Sequence, residues 1–273
     1  MEPAPPQSPP VREQLTVRCG GESVRISVTS RRSGPGDDLV LMVHGFGCGK
    51  ESFESAFRSD ELARAGLSLV SVDLPGHGDS DRLPTTSDAI EAYAEVVLDL
   101  VRQLAPGRLS LVCHSMGCAV GLVASQELGR LGGFVSIEGN LVSQDCGLVS
   151  RRAAQLSRAR YVDHEYPRFL AELVGSSRPD LRAWATWYEQ ADPVALHQAA
   201  ASLVSWSDSG KLLGLLASIP NSAYVYGTAS GDLSYVLDAL GPVPAFPITG
   251  SGHFPMVDNP TALWRVIATV VAN

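Results

Sequence analysis

The chain has no run of basic residues, and its acidic side chains outnumber the basic ones, 29 Asp and Glu against 21 Lys and Arg, for a formal charge of −8. Binding to a phosphate backbone needs the opposite balance, so nucleic acid is not expected as a partner. No apolar stretch approaches the ~20 residues that cross a bilayer, so no membrane-spanning segment is expected. Met1 to Val11 is rich in proline and lacks the charged-then-apolar order of a secretory leader. Residues 1–13 therefore read as a disordered tail, and the protein as cytoplasmic. Cysteine is sparse and odd in number: Cys19, Cys48, Cys113, Cys118 and Cys146 form no C-x-x-C pair. That argues against a disulfide framework and against a zinc site, so reduced thiols and no cofactor are expected.

What is present is a packed-protein composition, 45% hydrophobic and 18% charged, over 273 residues. Short apolar blocks are separated by Gly and Pro. Leu15 to Cys19 and Ser23 to Thr29 alternate around Gly20-Gly21-Glu22 and predict a β-hairpin. Leu39 to Val43, Leu67 to Val72, Leu109 to Val112, Phe134 to Ile137, Ala223 to Tyr226 and Ala245 to Ile248 are strand-length runs, and the continuous ones suit parallel strands covered on both faces. Helical patterns alternate with them. Ile90, Tyr93, Val97, Leu100, Val101 and Leu104 share one face, with Ser87 or Thr86 as cap; a helix follows over Gly117 to Leu131; and Asn259-Pro260 opens a last helix that turns Leu263, Ile267, Val270 and Val271 inward. Right-handed crossovers would wind this order into a doubly wound, mostly parallel α/β sheet.

The alternation lapses between Leu141 and Leu216, which holds helical stretches and Trp184, Trp187 and Trp206 but no buried strand. The expected organisation is a core over residues 14–139, a helical lid over 140–216 and the rest of the core over 217–273.

Four segments carry residues suited to chemistry. In Leu111-Val112-Cys113-His114-Ser115-Met116-Gly117 an apolar strand meets a small-residue helix with a serine at the junction. In Leu41-Met42-Val43-His44-Gly45-Phe46-Gly47 a strand ends in His-Gly. Val72-Asp73-Leu74-Pro75-Gly76-His77-Gly78-Asp79-Ser80 is a shaped loop after a strand. Gly250-Ser251-Gly252-His253-Phe254-Pro255 sets a histidine before the last helix. A serine hydroxyl is a weak nucleophile at neutral pH unless an imidazole takes its proton.

In this order the four segments resemble the α/β-hydrolase superfamily: its nucleophile elbow G-x-S-x-G, with Cys113 here in place of the first glycine, its His-Gly oxyanion loop, its D-x-P-G-x-G-x-S loop and its base-bearing histidine loop. The resemblance implies Ser115 as nucleophile, His253 as base and the Phe46 and Met116 backbone amides as oxyanion donors. His44 reads as a residue that organises its turn. Most relatives keep the triad acid after the seventh strand, where this chain has Gly227-Thr228-Ala229-Ser230, with Asp232 two residues late. Certain haloalkane dehalogenases and the zearalenone lactonases instead resemble Ser136-Ile137-Glu138 in keeping a glutamate after the sixth strand. Glu138 is favoured, with Asp232 as the alternative acid and Asp145 more remote.

A serine at the elbow disfavours epoxide hydrolase and dehalogenase chemistry, which need a carboxylate nucleophile. The longer glycine-serine oxyanion loop of meta-cleavage hydrolases is missing, which counts against carbon–carbon hydrolysis. The expected reaction is hydrolysis of a carboxylic ester, lactone or thioester of a medium-sized apolar small molecule, by a monomer or homodimer. Trp184, Trp187 and Tyr188, with Tyr161, Tyr166 and Phe169, are candidates to line its pocket. Two other readings stand beside it: an acyltransferase or cyclase using the same acyl-enzyme, and a non-enzymatic ligand binder such as the hydrolase-fold plant hormone receptors.

Overall fold

Runs of Val, Leu and Ile too apolar to face water on either side become the inner strands of one sheet. The computed structural model describes residues 8–84, 88–147 and 149–272. Its strands are β1 (Val11–Cys19), β2 (Glu22–Arg31), β3 (Asp38–Val43), β4 (Ser68–Val72), β5 (Arg108–His114), β6 (Gly133–Ile137), β7 (Ser222–Gly227) and β8 (Ala245–Ile248). They form an 8-stranded sheet in the order β1-β2-β4-β3-β5-β6-β7-β8. Only the β1–β2 and β2–β4 pairings are antiparallel. The fold class is the doubly wound α/β sheet expected from the alternation.

Helices cover the sheet: α1 (Asp60–Arg64), α2 (Ala89–Leu104), α3 (Met116–Ser125) and, after β8, α11 (Pro255–Asp258) and α12 (Pro260–Val271). Between β6 and β7 the chain is helical, with α4 (Ser150–Gln155), α5 (Arg158–Arg160), α6 (Tyr166–Val174), α7 (Pro179–Tyr188), α8 (Pro193–Asp208) and α9 (Lys211–Ser218); a short α10 (Ser234–Leu237) follows β7. The Asn259 side chain accepts from the Ala262 N–H and caps α12, and Pro260 is its first residue, as expected. Among the described residues no helix is long and apolar enough to cross a membrane.

Several boundaries differ from the sequence reading. Val11, Arg12 and Glu13 pair with Ser30, Thr29 and Val28, so the strand takes in the end of the expected tail. An edge strand exposed on most of its length carries little hydrophobic alternation to mark it. Of the rest of that tail, Ser8 to Pro10 are exposed coil and Met1 to Gln7 lie outside the described residues, as do the expected caps Thr86 and Ser87. The helix expected to reach Leu131 stops at Ser125, because the Gly132 N–H already donates to Leu109 O at 2.7 Å and returns the chain to the sheet.

The departure from the elbow's first glycine is absorbed one helical turn away. Cys113 is fully buried, and a Cβ on Gly121 of α3 would lie 2.6 Å from its Sγ. Gly117 is needed for a different reason: a Cβ there would meet Val43 O at 2.3 Å and His44 O at 2.6 Å, backbone atoms that cannot move aside. The helix can thus press against β3 and β5 only where side chains are missing.

The His44 and His77 rings pack 4.8 Å apart, centroid to centroid, on the loops after β3 and β4. His44 Nε2 accepts from the Leu74 N–H at 3.0 Å, so its proton sits on Nδ1, 2.8 Å from Gly45 O. Burial lowers the His44 pKa to about 4 and that of His77 to about 3. Beneath the same loops Lys50, itself buried, joins Asp73 at 2.7 Å and Asp79 at 2.9 Å.

Two outcomes follow. Gly121→Ala should cost about 1–3 kcal/mol by overpacking, and more than about half of that loss should vanish in a Cys113→Gly background; urea unfolding of the four proteins measures the coupling. The buried histidines bind protons only when unfolded, between the ordinary value near pH ~6.5 and their lowered folded values, so stability should fall as pH drops below ~6.5, by up to about 1.4 kcal/mol per pH unit for each ring. Unfolding free energies that stay flat from pH ~7 to pH ~4 would contradict neutral burial of the pair.

Candidate active site

Ser115 lies where β5 turns into α3, with φ 51° and ψ −119°, and its side chain does not cap the helix. A non-glycine residue held there is strained by roughly 1–3 kcal/mol, which the surrounding structure must supply. The corner is held by its neighbours: the Ser115 N–H donates to Ile137 O at 3.0 Å, and Ser115 O accepts from the Asn140 N–H at 3.3 Å. Glu138, one residue beyond β6, is also left-handed, with φ 46°, and its N–H donates to Val225 O at 2.9 Å. The ends of β5, β6 and β7 are thus stitched together at the point where the polar side chains emerge.

Glu138 is buried, and its carboxylate is held on both sides. Oε1 accepts from the Gly227 N–H and from the Ser230 hydroxyl, each at 2.7 Å. Oε2 stands 3.2 Å from His253 Nδ1. Ser230 occupies the position where most relatives of the expected fold carry their acid, and here it donates to the displaced carboxylate. Asp232 does not reach His253: it is exposed, and its Oδ1 accepts from the Ser234 N–H at 2.9 Å. Asp145 accepts from the Leu141 and Val142 amides and from the Tyr235 hydroxyl, at 2.8, 2.9 and 2.8 Å, which spends it on shaping the loop after β6. Burial raises its pKa.

Ser115 and His253 face the same small chamber of about 30 Å³, walled also by Phe46, Cys48 and His114. The Ser115 hydroxyl donates to Asn140 Oδ1 at 3.3 Å. His114, buried beside the serine, pairs its Nε2 with His253 O at 2.8 Å, so it ties the histidine loop to the elbow. Burial, and then the neighbouring His253, keep the His114 pKa well below its ordinary value, and it stays neutral. Met116 opens α3, where N–H groups have no partner within the helix. Among the described residues neither its N–H nor that of Phe46 has a hydrogen-bond acceptor. Gly45 O accepts from the Cys48 N–H at 3.1 Å. Since C=O and N–H of a trans peptide point in opposite directions, the Phe46 N–H points away from that turn.

A larger cavity of about 300 Å³ adjoins the chamber and shares Asn140, Asp145, Trp184, His253 and Phe254 with it. Of the aromatic residues expected to line a pocket, Trp184 and Phe169 do so. Trp187 and Tyr188 do not. Trp187 packs against Phe254 with ring centroids 6.0 Å apart, and Tyr188 is buried against Phe46, Phe169 and Trp184 with its hydroxyl 2.7 Å from that of Tyr161. Tyr161 and Tyr166 likewise pack within the insertion, for which a sequence offers the same aromatic spacing as a pocket wall. Asn140, Arg178, Tyr224 and Tyr235 are lining residues that the sequence reading missed. Asn140 stood two residues from Glu138; the others carried no local signal. Among the described residues no group of three or more His, Cys, Asp or Glu is placed to hold a metal ion.

Sequence comparison finds a partial match to a 2-hydroxy-6-oxononadienedioate/2-hydroxy-6-oxononatrienedioate hydrolase of Escherichia coli, 31% identical over 104 residues, or 38% of this chain and 35% of that one. The match thus spans about a third of the length of that relative. Among solved structures, an N-acyl homoserine lactonase complexed with N-hexanoyl homoserine superposes with a TM-score of 0.73 at 18% identity over 96% of both chains. E-2-(Acetamidomethylene)succinate hydrolase does so with a TM-score of 0.69 at 23% identity, over 96% of this chain and 100% of that one. At such identities these structures are likenesses of fold. The profile of the alpha/beta hydrolase family extends over residues 40–266, from β3 into the last helix, and the chain belongs to that family.

Proposed function

We propose that the protein is a serine hydrolase that cleaves a carboxylic ester, lactone or thioester of a medium-sized, uncharged small molecule through an acyl-enzyme. The observation that carries the reading is the Glu138 carboxylate, fixed through one oxygen by Gly227 and Ser230 and presenting the other to His253 Nδ1 at 3.2 Å. A carboxylate so placed holds the imidazole with its free nitrogen, Nε2, available as a base and stabilises the imidazolium that forms.

In this mechanism the Ser115 hydroxyl swings from Asn140 to His253 Nε2, gives up its proton and attacks the carbonyl carbon. The oxyanion is received by the Phe46 and Met116 N–H groups, which need no reorganisation because they already lack partners. Nε2 then protonates the leaving oxygen or sulfur as the acyl-enzyme forms. Water, deprotonated by the same nitrogen, repeats the attack and restores Ser115. The hydroxyl's present bond to Asn140 fits a resting state, since catalytic hydrogen bonds often align only once substrate is bound.

The chamber at Ser115 has room for little more than a water, so the bulk of the substrate belongs in the adjoining cavity of about 300 Å³. The helical segment between β6 and β7 covers both and serves as the lid. The cavity walls favour an uncharged guest: they include Glu138 and Asp145, and among the described residues the one cation in the lining, Arg178, already grips Asp180 through Nε at 3.1 Å and Nη2 at 2.6 Å. A dioate, the substrate class in the name of the Escherichia coli relatives, would find repulsion there, whereas a lactone, as in the name of the N-acyl homoserine lactonase, would not.

Ser115→Ala should lower turnover of a 4-nitrophenyl ester by about four decades, and Glu138→Gln by roughly three to four, with Asp232→Asn at the wild-type rate. A Glu138→Gln enzyme as active as wild type would overturn the assignment of the acid. On a matched pair of esters, kcat/KM for 4-nitrophenyl butyrate should exceed that for the mono-4-nitrophenyl ester of succinate by about tenfold or more. Equal values would contradict an uncharged substrate.

A further inference from the structure

The loops that carry the proposed oxyanion donor and base are both held by a single helix of the insertion. Trp184, on α7, donates its indole N–H to Phe46 O at 3.0 Å. One turn on, Tyr188 lies on Gly47 so closely that a Cβ there would be 2.3 Å from its Cδ2, and Gly47 has a φ of +61°. At the other end of the helix Arg178, the residue before Pro179, reaches over Gly252, where a Cβ would be 2.5 Å from Nη2, while the Trp184 ring packs 5.3 Å from that of Phe254. Gly47 and Gly252 are thus two points at which this end of the insertion presses on loop backbone. They flank Phe46 and His253.

The contact at Phe46 is the one with a chemical consequence. Residues 45–48 form a turn closed by the Cys48 N–H on Gly45 O at 3.1 Å, and the peptide between Phe46 and Gly47 is its central unit. That peptide is the one whose rotation converts one turn type into another. Trp184 holds its carbonyl, so the central peptide cannot rotate, the turn keeps one conformation, and the Gly45–Phe46 peptide that carries the Phe46 N–H stays closed on Cys48.

Resting on the serine hydrolase reading above, we infer that Trp184 is a positioning residue: through Phe46 O it fixes the oxyanion loop, so that docking of α7 completes the site for the transition state more than for the bound substrate. A donor that is aligned before charge develops contributes to kcat, whereas a wall that merely holds substrate contributes to KM.

The test uses the full chain with Trp184→Phe, which keeps a ring and removes the N–H, and a second form carrying benzothienylalanine at 184, which keeps the two-ring shape as well. Each is assayed for kcat and KM on a neutral 4-nitrophenyl ester, for inhibition by a trifluoromethyl ketone that mimics the tetrahedral oxyanion, and for its thermal midpoint. Both forms are expected to lose about tenfold in kcat, with KM within about twofold and ketone affinity weakened by the same factor as kcat. Wild-type kcat and ketone affinity in either folded form would overturn the inference alone, as would a raised KM at unchanged kcat. Turnover that persists in Ser115→Ala would instead overturn the hydrolase reading, and the inference with it.

Discussion

The site depends on two neighbouring backbone corners that ordinary residues avoid. Ser115 and Glu138 both sit at positive φ, at the ends of adjacent parallel strands, and hydrogen bonds from Ser115 N–H to Ile137 O and from Asn140 N–H to Ser115 O lock one corner to the other. Parallel strands end in register, so side chains that leave β5 and β6 at their carboxyl ends emerge side by side. This is the edge at which open α/β sheets place their ligands. The strain is tolerated because the elbow is enclosed where side chains are absent, with Gly45, Gly117 and Gly121 against its flanks. The same enclosure explains why Cys113 can stand where a glycine is usual.

In the proposed site the acid follows β6 in place of β7, and that changes more than an address. A carboxylate this well buried needs donors, and it finds them in the segment it has replaced: the Gly227 amide and the Ser230 hydroxyl both point at Oε1. The loop after β7 becomes the support of the Glu138 carboxylate. Its released space, walled by Ser230, Leu233 and Tyr235, belongs to the cavity beside His253. In the proposed site, acid placement and pocket shape are therefore linked, and so is charge, since Glu138 and Asp145 both line the cavity.

Much of this was legible in residue patterns because the physics behind it is local. Buried parallel strands announce themselves as apolar runs, and the pairing of a serine at a strand–helix junction with a late histidine loop marks the chemistry. Glu138 was readable as an unusual carboxylate at the end of such a run. The failures have a common cause: where three-dimensional packing decides, spacing is mute. An exposed edge strand hid the pairing of Val11 to Glu13; the aromatics Trp187 and Tyr188 looked like pocket walls although they pack the insertion onto Phe254 and Phe46; and neither Arg178 nor the bond of the Ser115 hydroxyl to Asn140 leaves a mark on the sequence.

In the proposed reaction Glu138 orients His253, His253 moves the proton and Ser115 attacks, beside the Phe46 and Met116 amides. A crystal structure of the protein after reaction with a fluorophosphonate tests it most directly. The expected structure has phosphorus bonded to Ser115 Oγ, its oxygen within hydrogen-bond distance of both amides, and His253 Nδ1 still on Glu138. A label on any other residue, or an imidazole paired with a different carboxylate, would contradict it.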